Sequence, residues 1–233
     1  MKFFFLEEAI RSEETGNQYP QILKMSRQHD FNDDYGVYVF SRMAMPEKKP
    51  DLKYLILDKE AKITDVLSAE MLRLNGFLIN ERVKKIISKY ELPEHRFYEA
   101  FVLDNLNKEY EYCWLQMVVN YDLKYINFKE SDFSVTSTSI VNDSRISIDI
   151  SSYEDYKNKQ TKLTSKQIIK ISKATLNEDF TKDALDIFKI PALSMSWIIS
   201  DRLRDDLNKS NITGVRMVET DNVIAVKYLE RIK

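Results

Sequence analysis

One pattern occurs twice in this chain, 120 positions apart (197 − 77), and it restricts the possible fold more than any other feature of the sequence. Residues 77–98 and 197–218 each show an apolar strand, a capping residue, a short amphipathic helix, a turn and a second strand. The equivalent residues are Phe77 and Trp197, Arg82 and Arg202, and Arg96 and Arg216. We therefore expect two strand-helix-strand units whose apolar faces meet a shared sheet.

Short lead-in segments precede both units and extend the similarity upstream. Residues 64–67 and 185–188 each carry an aspartate before two apolar residues, at an offset of 121 (186 − 65). This similarity favours a pseudo-duplicated, two-lobed arrangement within a single domain over residues 1–233. The first lobe is expected at about 50–122 and the second at about 123–233.

The rest of the chain shows mainly the patterns of β-strands. Aromatic and β-branched residues dominate residues 110–120, 125–128 and 146–150, which predicts an antiparallel sheet. The apolar start of the chain predicts an N-terminal strand, residues 164–174 a helix, and residues 223–229 a closing strand. Strands outnumber helices and the two kinds are partly segregated, which favours an α+β fold, mostly antiparallel, over a doubly wound parallel sheet.

Charge and hydropathy argue against several classes of partner. The formal charge is −2, from 35 basic and 37 acidic residues, which provides no general attraction for nucleic acid or an anionic membrane. No apolar run approaches the roughly 18 residues of a membrane span, and Glu7 and Glu8 interrupt the apolar start too early for a signal peptide. We expect a cytoplasmic protein that binds neither nucleic acid nor membrane.

The sequence contains no motif typical of catalysis, cofactor binding or metal binding. The four glycines are too far apart for a phosphate-binding loop, and Cys113, His29 and His95 lack the spacing of zinc ligands. Cys113 with His95 is the only conceivable pair of nucleophile and base, but the aromatic strand pattern around Cys113 predicts a buried structural thiol. We therefore assign no catalytic residue, no cofactor and no metal.

Two groups of charged residues leave alternatives open. The four arginines of the repeat either tie each helix to neighbouring structure, for instance by pairing with a local carboxylate, or contact an anion or a partner. Asp30, Asp33 and Asp34 form a solvated turn, a divalent-metal loop or a contact patch, and they lack the Gly and terminal Glu of a calcium loop. Phe77 and Trp197 start apolar strands, where a large ring is most often part of the core.

Several segments of the chain resemble a known protein family. They are residues 187–191 (IFKIP), 197–203 (WIISDRL), 212–216 (ITGVR), 125–133 (YINFKESDF) and 77–83 (FLINERV). Together they are similar to the type-eleven immunity domain family of bacterial polymorphic toxin systems, over roughly residues 50–220. The chain departs from that family at Arg216 and Met217, where an acidic or small residue followed by phenylalanine is expected.

The resemblance implies a cytoplasmic protein that binds a cognate toxin domain and blocks it without catalysing a reaction. In this interpretation the acidic turn of Asp30, Asp33 and Asp34 is a candidate contact, because acidic patches commonly steer basic toxins. Two alternatives remain open. One is an enzyme whose carboxylates and arginines converge on a phosphorylated or nucleotide-like substrate, and the other is a ligand-binding scaffold module. The sequence gives no indication of the oligomeric state.

Overall fold

The structure, a computed structural model, describes residues 1–25, 44–72, 75–137 and 145–225. These residues form fourteen β-strands and four α-helices, and most neighbouring strands are antiparallel, which confirms the expected α+β fold. The strands are β1 (Phe3–Glu8), β2 (Ile22–Met25), β3 (Leu52–Leu57), β4 (Val66–Leu67), β5 (Gly76–Ile79), β6 (His95–Leu103), β7 (Glu109–Met117), β8 (Asp132–Ser137), β9 (Arg145–Ile148), β10 (Gln167–Leu176), β11 (Ile187–Phe188), β12 (Trp197–Ser200), β13 (Val215–Thr220) and β14 (Val223–Ala225). The helices are α1 (Glu81–Ile87), α2 (Tyr153–Gln160), α3 (Glu178–Asp183) and α4 (Asp201–Lys209).

The strands form three sheets that divide between the two halves of the molecule. The first has six strands in the order β2-β3-β6-β7-β5-β4, the second has the order β11-β12-β1-β13, and the third has the order β14-β10-β8-β9. Only two residues, Asp221 and Asn222, separate β13 from β14, so the chain passes directly from the second sheet into the third. The described strands pair in parallel only at β3 with β6 and at β10 with β14.

The two strand-helix-strand units have equivalent strand pairing. In the first sheet Leu115 of β7 lies between Phe77 and Phe97. In the second sheet Leu6 of β1 lies between Trp197 and Met217, and both flanking positions are shifted by the same 120 residues. The N-terminal strand therefore completes the second unit as β7 completes the first. Whether a duplication produced the two units stays a prediction.

The helices of the units begin at the capping residues that the sequence suggests. The side chain of Asn80 accepts a hydrogen bond from the Val83 amide, and Ser200 does the same for the Leu203 amide. Such caps satisfy amide groups that have no partner within the helix. Asn80 therefore caps the first helix and Ser200 caps the second.

One hydrophobic core contains the apolar faces of both helices. It includes the buried side chains of Val83 and Ile86 from α1 and of Leu203 and Leu207 from α4. Phe77 and Trp197 also lie in this core, as expected, with ring centroids 6.1 Å apart. The expectation of a shared sheet is wrong, because each unit belongs to its own sheet. What the units share is the core between them.

The predicted helix over residues 164–174 is wrong, because residues 167–176 form strand β10. Ile169 and Ile171 are buried while Lys170 between them is exposed, which is the alternation of a strand. β-Branched residues also favour a strand, and pairing with β8 satisfies the backbone.

Two further expectations for this half of the chain need correction. The sequence suggests no helix over residues 153–162, yet the polar segment Tyr153–Gln160 forms α2, which Ser152 caps. Residues 125–128 are predicted as strand but form turns, with a single bridge from Ile126 to Leu176. Helix α2 is stabilised locally, by its cap and by the ion pairs of Lys157 with Glu154 and of Lys159 with Asp155.

Candidate functional site

A buried carboxylate connects the two units on the side of the first helix. Asp65 immediately precedes β4 and is 5% exposed. Its oxygens accept hydrogen bonds from Asn80 Nδ2 (2.7 Å) and from Arg82 Nη1 (3.0 Å), both in the first unit. They also accept from the Thr213 amide and the Thr213 hydroxyl, each at 2.9 Å, in the second unit. Asp65 therefore joins the start of α1 to the turn that follows α4.

A second buried carboxylate makes the reciprocal connection. Asp186 precedes β11 and is fully buried. It accepts a hydrogen bond from the Ser200 hydroxyl (2.6 Å) and is paired with both Nε and Nη2 of Arg202, all in the second unit. The Glu91 amide, in the turn after α1 and thus in the first unit, donates to Asp186 Oδ2 at 3.1 Å. We call Asp65, Asp186 and these donors the carboxylate junction.

The carboxylate junction explains what Arg82 and Arg202 do. Both pair with a carboxylate, which is the first of the two interpretations given above, and Arg82 Nη2 additionally donates to the Ser210 carbonyl at the end of α4 (2.5 Å). The sequence contains a signal for the partners, because Asp65 and Asp186 occupy equivalent places in the two lead-in segments. The similarity of the lead-in segments aligns Asp65 with Asp186, but it does not indicate that they pair with the arginines.

The ionisation of Asp65 follows from its hydrogen bonds. Burial by itself would raise the pKa of this carboxyl. The Thr213 amide, the Asn80 side chain, the Thr213 hydroxyl and the Arg82 guanidinium together outweigh burial and lower the pKa below its ordinary value. The carboxylate is thus held in its charged form at neutral pH, where it binds these donors most strongly.

The second pair of repeated arginines occupies equivalent positions with different partners. Arg216 lies opposite Glu7 and forms an ion pair with it at 2.5 Å. Arg96 lies opposite Gln116, and no ion pair engages it within the described part of the chain. The two residues are matched in register, but only Arg216 ties its strand to a neighbouring carboxylate.

A cavity beside the junction is lined by residues from both units. It measures about 590 Å³ and is lined by the turn before β6, by the connection after β7, and by the segment around β11. Its floor consists of buried apolar side chains, contributed by Leu123, Ile126, Leu185, Phe188 and Ile190. We call this space the junction cavity. Neither Arg82 nor Arg202 is among its lining residues.

Three tyrosines stand at the rim of the junction cavity. Tyr121, Tyr125 and Tyr153 line it and are partly exposed. Tyr125 is held in place, because its hydroxyl donates to Asp183 at 2.8 Å and its ring packs on Phe180 at 5.6 Å. No pattern in the sequence brings these tyrosines together, since they come from a turn-rich connection and from α2.

The charged residues around the junction cavity differ in their partners. Lys124 pairs with Asp183 at 2.8 Å. Lys189 donates to Asn75 Oδ1 at 3.2 Å and lies 4.6 Å from the centre of the Trp197 ring. Glu94 and Asp122 are exposed at the rim. The rim therefore presents two acidic groups, while its two lysines are engaged with other residues.

Cys113 is a buried thiol, as predicted. It is 7% exposed, and burial raises its pKa to about 11, so the reactive thiolate is disfavoured at neutral pH. His95 lies opposite Met117 on β7, four residues further along the strand than Cys113, and its Nδ1 is 2.9 Å from the Pro93 carbonyl oxygen. The structure therefore does not bring this nucleophile and base together.

The acidic turn of Asp30, Asp33 and Asp34 and the residue His29 lie outside the described residues. Over the ranges that the structure describes, no group of three or more His, Cys, Asp or Glu side chains is placed to hold a metal ion. None of the described helices is long and apolar enough to cross a membrane.

Glu8 is a further titratable group, and it joins the N-terminal strand to the segment before β2. Glu8 at the end of β1 accepts a hydrogen bond from the Tyr19 hydroxyl at 3.1 Å. Burial raises the pKa of Glu8 to about 7. The Tyr19 hydrogen bond opposes this shift, and the nearby Glu70 carboxylate adds to it.

We expect Glu8→Gln to stabilise the protein in a pH-dependent way. Because the folded-state pKa lies above the ordinary value of 4.5, the stability contributed by the bound proton is complete below that pH and is lost as pH rises through about 7. The variant does not titrate, so its advantage grows over this window to on the order of 2 kcal/mol.

Urea unfolding at about pH 5 and about pH 8 measures this difference. Glu60→Gln, at an exposed position, is the matched control. An equal effect of Glu8→Gln at both pH values would contradict the prediction.

The fold and the site together define an α+β protein in which two buried, ion-paired carboxylates join two equivalent units through hydrogen bonds, beside an aromatic-rimmed cavity. Comparison with known proteins adds no relative, because no family model matches the chain and no curated protein matches its sequence.

Proposed function

We propose that this chain is a cytoplasmic, non-catalytic immunity protein that binds and neutralises a cognate bacterial toxin domain. The contact is centred on the junction cavity. The toxin-system assignment comes from the sequence resemblance described above, and the observation that supports it in the structure is the rim of three tyrosines above a buried apolar floor.

The composition of the junction cavity suits a protein partner. Tyrosine is enriched at protein interfaces and among the residues that dominate their binding energy, because its ring buries a large area and its hydroxyl tolerates water. An apolar floor offers a pocket for one anchoring side chain of the partner. The hydrogen bonds from Thr213 to Asp65 and from the Glu91 amide to Asp186 connect the two units beside the cavity, and a fixed relation between its sides reduces the entropy lost on binding.

The exposed acids at the rim indicate the charge of the partner. Glu94 and Asp122 would complement a basic surface and accelerate its association. Asp30, Asp33 and Asp34 stay a predicted second contact of the same sign. A toxin domain with a basic face around a protruding apolar or aromatic side chain fits this arrangement.

A second candidate function is favoured by the size of the junction cavity. About 590 Å³ lies within the range of small-molecule sites, and an apolar floor with a few polar rim groups is typical of them. This supports the alternative of a ligand-binding module. A pocket that holds Arg82 or Arg202 would favour the enzyme alternative, and the junction cavity is lined by neither of them.

The proposal predicts that a neighbouring gene encodes the toxin domain, and co-expression with that domain tests it. We expect the protein to restore growth and to bind the purified toxin domain. Tyr121→Ala and Tyr153→Ala should each weaken binding by about 30-fold, the effect of losing an aromatic anchor. Titration calorimetry and growth curves measure the two effects.

Tyr110→Ala is the matched control for the rim variants. Tyr110 is partly buried and bonded to Asp104 at 3.2 Å, but it packs against a different core. Its replacement should leave toxin binding unchanged. If the wild-type protein neither bound the toxin domain nor restored growth, the immunity proposal would be wrong. Binding that survives both rim changes would place the interface elsewhere.

A further inference from the structure

A second surface suited to binding lies at the free edge of the third sheet. Strand β9 is the last strand in the order β14-β10-β8-β9, and within the described residues it pairs only with β8. An edge strand presents backbone amide and carbonyl groups that another strand can pair with. The side chain of Ile146 in the middle of β9 is 61% exposed.

An apolar groove runs beside this edge on the face that α2 partly covers. One cavity of about 630 Å³ is lined by Val135, Ile148, Leu163 and Ile169 among others. A second, of about 310 Å³, is lined by Val135 and Ile146. Because Val135 belongs to both, the two cavities form a continuous groove along β9. Apolar surface of this kind next to an open strand edge marks a site for an added strand.

The charges around the groove are mainly positive. Lys162 lines the larger cavity and Lys166 the smaller one, both are exposed, and no ion pair joins either to a carboxylate in the described ranges. Lys159 also lines the groove but pairs with Asp155 at 2.9 Å. Asp149 is the one acid in the lining of either cavity. Residues 157–173 contain six lysines and no acidic residue, so the positive charge is local in a chain of net charge −2.

We propose that β9 accepts an extended, acidic segment of a partner protein as a fifth strand of this sheet. Apolar side chains of the segment fill the groove beside Ile146, and its carboxylates pair with Lys162 and Lys166. Main-chain hydrogen bonds to β9 provide affinity, while apolar and acidic side chains on the face of the segment that meets the groove provide specificity. This surface is separate from the junction cavity, and its test does not depend on a toxin.

Fluorescence anisotropy with labelled peptides tests the proposal on the full chain. The probes are an acetylated, amidated peptide of Val-Thr-Glu-Thr repeats, which presents Val and Glu on one face of a strand, and its counterpart of Val-Thr-Lys-Thr repeats. A third probe is the Glu-containing peptide N-methylated along one edge, which removes the amide donors of that edge. We expect binding of the first peptide only.

Two variants of the protein locate the binding. Ile146→Lys places a charge on the exposed edge and should weaken binding by about tenfold. The double variant Lys162→Glu, Lys166→Glu should lose the acidic peptide and gain the basic one, a reversal that general damage to the fold cannot produce. Leu106→Lys, at a residue 82% exposed in a distant turn, and Lys24→Glu, on the edge strand β2, are the matched controls.

Several results would overturn the proposal. Equal binding of the acidic and basic peptides, undiminished binding of the N-methylated peptide, or no effect of the charge reversal would each do so. Tighter binding of a DNA duplex than of the acidic peptide would identify a nucleic acid as the partner. A self-association that Ile146→Lys abolishes in sedimentation would identify a second copy of this chain. If Ile146→Lys fails to fold, the charge reversal still decides the question.

Discussion

Asp186→Ala is expected to destabilise the protein by on the order of 3 kcal/mol. The change removes the acceptor of the buried Ser200 hydroxyl and of the Glu91 amide, and it leaves Arg202 without its ion pair. Arg202 is half exposed and can be hydrated again, so most of the loss comes from the two unsatisfied donors. In a chain of this length such a loss lowers Tm by about 10 °C.

Urea unfolding and thermal melts of two further variants test this interpretation. Asp186→Asn keeps an acceptor oxygen at the same position and should lose less than Asp186→Ala. Glu99→Ala is the matched control, because Glu99 forms an ion pair with Lys49 at 2.9 Å that is exposed to solvent and therefore contributes little to stability. If Asp186→Ala were no more destabilising than Glu99→Ala, the carboxylate junction would not hold the two units together.

Gly214→Ala is expected to destabilise the protein by about 3 kcal/mol. Gly214 has φ +86°, a backbone conformation that residues other than glycine adopt at a cost of about 1–2 kcal/mol. An added Cβ would also lie 2.0 Å from the Val66 carbonyl oxygen and 2.7 Å from Thr64 Oγ1. The turn of the second unit would have to move away from β4, which breaks the Val66 amide to Thr213 carbonyl hydrogen bond (3.1 Å).

Asn107→Ala separates the two contributions to this effect. Asn107 has φ +60° in the exposed turn between β6 and β7, so its replacement reports the backbone conformation without crowding. We expect a loss of about 1 kcal/mol there. If Gly214→Ala lost no more than Asn107→Ala in urea unfolding, the close approach of the two units at Val66 would contribute nothing to stability.

Asp186→Ala and Gly214→Ala also test the proposed toxin binding. Both variants loosen the connection between the two units, whereas neither Asp186 nor Gly214 lines the junction cavity. A fixed relation between the two sides of a site lowers the entropy lost on binding. Asp186→Ala should therefore weaken toxin binding at a temperature where the variant is still folded, and Glu99→Ala should not.

Local features of the structure could be predicted from the sequence because they depend on neighbours within a few residues. The repeat of 120 residues predicted both helices with a capping residue before each, and the burial of Phe77 and Trp197 was also predicted. The aromatic pattern around Cys113 predicted a buried thiol. Side-chain periodicity and caps are local properties, so they are readable without the fold.

The sequence does not determine the structure where the spacing of apolar residues fits both a helix and a strand. Ile168, Ile169 and Ile171 fit one face of a helix as well as a buried strand. Only the pairing of β10 with β8 and β14 decides between them, and it comes from residues up to about 50 positions away in the chain.

The tertiary structure alone decided how the two units are joined. It placed β1, from the start of the chain, between strands of the last unit, and it brought Asp65 to Thr213 and Asp186 to Glu91. It also gathered Tyr121, Tyr125 and Tyr153 around one cavity. These contacts join residues up to about 210 positions apart, and no spacing in the sequence encodes them. They form because the folded chain must pair its buried polar groups in hydrogen bonds and bury its apolar faces at the same time. This is a property of the whole packed chain.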